Sequence, residues 1–174
     1  MKRSYGFSLV ELMVAMVIGL IIILGAGQLF LTVFQTNRQV ETLSEKQAAV
    51  NFAVETLIRD VRRADWTVPA GGADLAVKVP NRSDCPGAAG TLVTKTYSLA
   101  SSGNNHLLQV DCDGGGSQEI VGGFAESGFS VSPVGNYGVL ITFTLLPTDE
   151  GAGSPESLSF LAVNRTAAVG GNGG

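Results

Sequence analysis

Histidine is almost missing from this chain: His106 is the only one among 174 residues. A Ser-His-Asp or Cys-His arrangement would have to be built around it, and nothing near His106 suggests an activated nucleophile. Cysteine is nearly as scarce, with Cys85 and Cys112 alone, and zinc would need further Cys or His ligands that the sequence does not offer. Charged residues make up only 15% of the chain, with a formal net charge of −4. No basic patch stands out beyond Arg59, Arg62 and Arg63, so nucleic-acid binding gets no support. Asp84, Asp111 and Asp113 carry oxygen ligands that could suit Ca²⁺, but acidic residues in turns are mostly just solvated. The expectation is therefore a non-enzyme with no cofactor and no metal. The abundant residue is glycine, 23 in all, which predicts a loop-rich domain, while 45% hydrophobic content argues against disorder.

The long apolar run is the strongest feature present. From Leu12 to Gly27 no side chain is polar, and up to Phe34 only Gln28 and Thr32 intrude. At about 1.5 Å per residue such a helix reaches about 35 Å, enough to cross a bilayer core of about 30 Å. Lys2 and Arg3 precede it without an acidic neighbour, which keeps the N-terminus cytoplasmic and exports the rest. Glu11 sits at the head of the run. A carboxylate within a membrane helix costs about 2.5–3.5 kcal/mol, so it either marks the headgroup level or has a partner.

The residues Gly6-Phe7-Ser8-Leu9-Val10-Glu11-Leu12, after a short basic leader, resemble the class III signal of type IV prepilins. An ordinary secretory signal has an apolar region of about 7–15 residues and is removed after it. The resemblance implies a cut before the helix, between Gly6 and Phe7, by prepilin peptidase. It further implies N-methylation of Phe7, and an assembly role in which Glu11 pairs with the N-terminal amine of a neighbouring subunit. Such a pair would set register between subunits more than add net stability.

Beyond the apolar run, residues 35–49 are polar. Leu43, Val50, Val54, Leu57 and Val61 then recur on one helical face, and no Pro or Gly occurs from Gln28 to Thr67. Glu55 and Arg59 stand one turn apart, Arg62 and Arg63 suit a helix C-terminus, and Pro69 with Gly71 and Gly72 ends the helix. One helix from near Ser8 to about Ala64 is expected, with Trp66 packed at its junction with a sheet.

The period then changes to two. Strands are predicted around residues 75–79, 92–99, 107–111 and 118–121, the last two closing a hairpin over the turn 112–116. Residues 129–134 read as a separate edge strand because Pro133 lacks a ladder donor. Residues 138–146 alternate clearly, 147–156 read as a loop, and 158–164 form a last strand. The order is α+β: a long N-terminal helix packed on an antiparallel sheet. The division expected is a leader at 1–6, a membrane and filament-core helix at 7–34, its amphipathic continuation at 35–66, a β-rich head at 67–169 and a Gly-rich tail at 170–174. Because Cys85 and Cys112 fall on the exported, oxidising side, they are expected to form a disulfide closing a loop worth about 3–4 kcal/mol.

Residues 51–64, NFAVETLIRDVRRA, and the closing 158–165, ending in VNR, resemble PilW-type minor pilins and J-type type II secretion pseudopilins. This implies a structural subunit that initiates or caps a filament. Its implied partners are other minor and major pilins or pseudopilins, prepilin peptidase, the inner-membrane assembly platform and, before assembly, the lipid bilayer. The implied location is the bacterial inner membrane with a periplasmic head, then the filament. The alternatives are a J-like pseudopilin and a membrane-anchored binding module that never polymerises.

Overall fold

The computed structural model describes residues 8–103, 105–147 and 154–170. Helix α1 (Leu9–Arg63) is followed by strands β1 (Leu75–Pro80), β2 (Leu92–Ser102), β3 (Asn105–Cys112), β4 (Ser117–Val134), β5 (Gly138–Leu145) and β6 (Glu156–Val163), then by the short helix α2 (Arg165–Gly170). The α+β class read from the sequence is the class observed. The chain forms two compact units, Met1–Ser44 and Glu45–Gly174.

In the first unit, α1 starts at Ser8, whose carbonyl accepts from the amides of Glu11 (3.0 Å) and Leu12 (3.2 Å). Where polar groups enter the helix they are satisfied locally. The hydroxyls of Thr32 and Thr36 donate to the carbonyls of Gln28 (3.0 Å) and Thr32 (2.9 Å). The Arg38 guanidinium lies 5.4 Å from the centre of the Phe34 ring, a favourable cation–aromatic approach.

In the second unit the six strands form one antiparallel meander in the order β1-β2-β3-β4-β5-β6. Alternation sorts each strand into an inner and an outer row; β1 buries Leu75, Val77 and Val79 and exposes the residues between. Against the inner row lies the C-terminal part of α1, through Ala53, Leu57 and Val61, all fully buried. Phe143 is the centre of the aromatic packing, with Phe124 at 5.2 Å and Phe160 at 5.3 Å between ring centres. Each such side chain contributes about 1.5–3 kcal/mol on burial. Val50 and Val54 are partly buried as the helical spacing predicts, but Leu43 is 47% exposed and does not belong to the packed face.

Residues 118–121 and 129–134 are not two strands. They belong to the single 18-residue β4, but β3 pairs with it only as far as Phe124, so 129–134 keeps β5 on one side and no ladder strand on the other, the edge position expected of it. Pro133 is tolerated for a directional reason. The N–H and C=O of Val131 both bond Gly72, at 2.8 and 2.9 Å, and so point away from β5. Pro133, two residues on, faces the same way, and β3 pairs with β4 only as far as Phe124. The missing donor falls where no strand would use it.

Midway along β4 the pairing jumps from Phe124↔Leu145 to Phe129↔Phe143, so residues 125–128 swell out as a bulge. Ser127 takes a left-handed φ of 57° there, and a Cβ on Gly128 would run into the carbonyl oxygens of Thr144 and Ala125. Only glycine fits that position.

The closing strand leads into α2, which alternation alone does not announce. Asn164 makes the transition. Its Nδ2 donates to the carbonyls of Val61 and Ala64, both at 2.9 Å, and its Oδ1 accepts from the Ala167 amide at 2.9 Å. One fully buried side chain thus caps the C-terminal end of α1 and the N-terminal end of α2.

Candidate functional site

The leader 1–6, with Gly6, and Phe7 lie outside the described residues. Glu11 is exposed in the first turn of α1, where the positive end of the helix dipole favours a carboxylate. Among the described residues no cation pairs with it. Behind it, Leu12, Met13, Val14, Met16, Val17 and Ile18 are each more than half exposed. None of the most apolar stretch of α1 is buried, and α1 is long and apolar enough to cross a membrane. Such a surface is costly in water and stable only against lipid or other apolar helices. Apart from the surrounding turns of the helix's own backbone, Gly19, Gly25 and Gly27 have no atom within 4 Å of where a Cβ would stand.

A second constellation lies where α1 meets the sheet. Asp60, 2% exposed, and Lys95, 5% exposed, face each other with Oδ2 and Nζ 3.0 Å apart. The Tyr97 hydroxyl donates to the same Oδ2 at 2.6 Å. Arg63 holds the other carboxylate oxygen, through Nε at 2.9 Å and Nη2 at 2.6 Å. Asp84 completes the group with Oδ2 2.6 Å from Lys95 Nζ. Two carboxylates thus face two cations, the pairing under which buried charge is tolerated. Burial first, and then the Asp60 charge, push the Tyr97 phenol well above its ordinary value, so it stays a donor.

Burial alone would raise the Asp84 carboxyl, but its Lys95 partner and the Arg82 amide hold it below the usual carboxylate value. A depressed value stabilises the fold above the ordinary carboxylate range, and that stability is lost as pH falls through the folded value. The urea midpoint should therefore decline in acid, gently because the Asp84 side chain is 44% exposed. Asp84→Asn should flatten this part of the pH profile.

This cluster is a site that sequence reasoning missed, although its signal was present. Asp60 stands three residues after Leu57 and four before Ala64, on the buried face, and Lys95 and Tyr97 follow Val93 at the period of two. The helix-end role expected for Arg63 is only part of its work, since it also pairs with Asp60.

Cys85 and Cys112 form the expected disulfide, with 27 residues of sequence separation. Asp84, Asp111 and Asp113 are not brought together as ligands: Asp84 engages Lys95, and Asp113 Oδ1 accepts from the Thr94 amide at 2.8 Å. Among the described residues no group of three His, Cys, Asp or Glu side chains is assembled that could hold a metal. His106 Nε2 lies 3.1 Å from the Ser101 hydroxyl. Trp66 packs against the core at the junction, as expected, and donates to the Asn136 carbonyl at 2.8 Å.

Residues 1–27 match the model of the prokaryotic N-terminal methylation motif, a type IV pilin-like prepilin signal. No curated protein and no solved structure matches the chain.

Proposed function

We propose, from the methylation motif at its N-terminus, that this chain is a structural minor pilin of a type IV pilus. Prepilin peptidase cuts between Gly6 and Phe7, Phe7 is N-methylated, and the mature helix passes from the inner membrane into a filament that the subunit initiates or caps. The observation that supports this reading best is the coincidence of that motif with an unbroken apolar helix, headed by Glu11, none of whose most apolar stretch is buried. Lipid shelters the helix before assembly, and helices of other minor and major pilins shelter it afterwards. Glu11 then pairs with the Phe7 amine of a neighbour, so that neither charge stays alone in an apolar setting. The head, on the periplasmic side, carries no catalytic role. A J-like pseudopilin of a type II secretion system would share every one of these steps. Deleting the gene and scoring surface pili against secreted proteins separates the two.

Intact mass of the protein from its native membranes tests the processing. A mature chain starting at methylated Phe7 is the expected result, and Gly6→Ala should leave the leader attached. A native chain that keeps Met1 to Gly6 would overturn the filament reading and favour a signal-anchored binding module.

A further inference from the structure

The segment joining β1 to β2 is irregular in backbone but tied down by three devices. Asn81, 2% exposed, donates from Nδ2 to the carbonyls of Cys85 (3.0 Å), Gly87 (3.3 Å) and Ala88 (3.4 Å). Its Oδ1 accepts from the amides of Ser83 (3.0 Å) and Cys85 (3.2 Å). Cys85 is bonded to Cys112 at the end of β3. The residue just before Cys85 is Asp84, whose carboxylate reaches Lys95.

The register makes this arrangement more than a staple. Lys95 and Cys112 are direct cross-strand partners in the β2–β3 ladder. The disulfide therefore fastens the segment beside the lysine that Asp84 neutralises. Without Asp84 the cluster holds two cations, Lys95 and Arg63, against the single carboxylate of Asp60. The Lys95 side chain is only 6% exposed and could not shed that imbalance into water without leaving its place under α1. Asp60, which it would abandon, is the group that joins the last turns of α1 to β2.

We infer that the Cys85–Cys112 disulfide is a redox latch: its formation delivers Asp84 to Lys95 and locks the last turns of α1 onto the sheet, whereas the dithiol chain leaves this junction loose. In the closing step the two thiols give up two protons and two electrons as the S–S bond forms. An external disulfide accepts them by thiol–disulfide exchange and leaves as two thiols. Asp84 acts here as a positioning residue for Lys95. The latch stands on the head alone and does not depend on what the N-terminal helix assembles with.

Hydrogen–deuterium exchange on the full chain in detergent tests it, comparing the oxidised protein, the reduced protein, oxidised Asp84→Asn and reduced Asp84→Asn. Reduction should speed exchange across residues 57–64 and 93–97 by on the order of tenfold. Asp84→Asn with its disulfide intact should speed the same amides to a similar degree, and reducing that variant should add little at those positions. A staple without a latch would give faster exchange only in residues 81–91 and 112–116 on reduction, with 57–64 unchanged in Asp84→Asn, and that pattern would overturn the inference. If reduction unfolds the whole head, the oxidised Asp84→Asn protein decides alone: faster exchange at 57–64 supports the latch, and wild-type exchange there refutes it.

Discussion

Asp60→Ala should destabilise the head by about 3–5 kcal/mol, the largest effect expected of any single substitution outside the hydrophobic core. The loss is not that of one attractive contact. Asp60 anchors Lys95, Arg63 and the Tyr97 hydroxyl, so its removal leaves Tyr97, 0% exposed, without its acceptor and Lys95, 5% exposed, with Asp84 alone. Desolvation already paid by these groups is then no longer offset. Urea unfolding of the head signal measures the change as a lower midpoint. An Asp60→Ala protein within about 1 kcal/mol of wild type would show that the cluster behaves like a surface ion pair, and would contradict the burial of its members. Asp60→Asn should fall between the two, because it keeps an oxygen acceptor for Tyr97 but loses the charge that balances Lys95.

Asn164→Ala should cost about 3–4 kcal/mol, combining a lost donor to two carbonyls at the end of α1, of which Val61's keeps only the Ala64 amide at 3.4 Å, with a lost cap on α2. Nothing else among the described contacts serves those carbonyls from the closing strand; the Asn164 amide nitrogen reaches Val61 and Ala64 together. Asn164→Asp separates the two contributions. Aspartate can still accept from the Ala167 amide and so preserves the start of α2, but it cannot donate to α1 and places a charge against carbonyl oxygens. Thermal unfolding should place Asn164→Asp no higher than Asn164→Ala if the α1 carbonyls dominate. A midpoint near wild type for Asn164→Asp would assign the effect to α2 instead.

What could be read in advance followed from how local each signal was. The course of α1 was legible because residues 28–67 contain neither Pro nor Gly and because Leu57 and Val61 repeat at helical spacing. The strands were legible where one face is buried, as in Val139, Ile141 and Phe143. Pro133 was a sound edge signal, since 129–134 has no ladder strand on the side it faces, but it could not show that 118–121 and 129–134 run on as one strand. Helix α2 was missed because its main organiser, Asn164, looks like an ordinary polar residue at the end of a strand until its contacts with α1 are seen. The charged cluster was missed for a related reason. Asp60 sits in the run Arg59-Asp60-Val61-Arg62-Arg63, where neighbouring charges read as a solvated face, and only the three-dimensional meeting of α1 with β2 reveals its partners. At the N-terminus, by contrast, the signal lay in one contiguous stretch, and residues 1–27 match the methylation motif.

The double cap at Asn164 also has a consequence in time. The carbonyl of Val61 waits for a side chain 103 residues later in the chain. At a synthesis rate of about 5–20 residues per second, the end of the long helix emerges on the order of 5–20 s before the residue that finishes it. Throughout that interval the helix has only its own hydrogen bonds and passing water at its last turn, and the sheet cannot seal because its sixth strand has not appeared. The head therefore completes itself from the far end, and any event that requires a finished head must follow the arrival of β6.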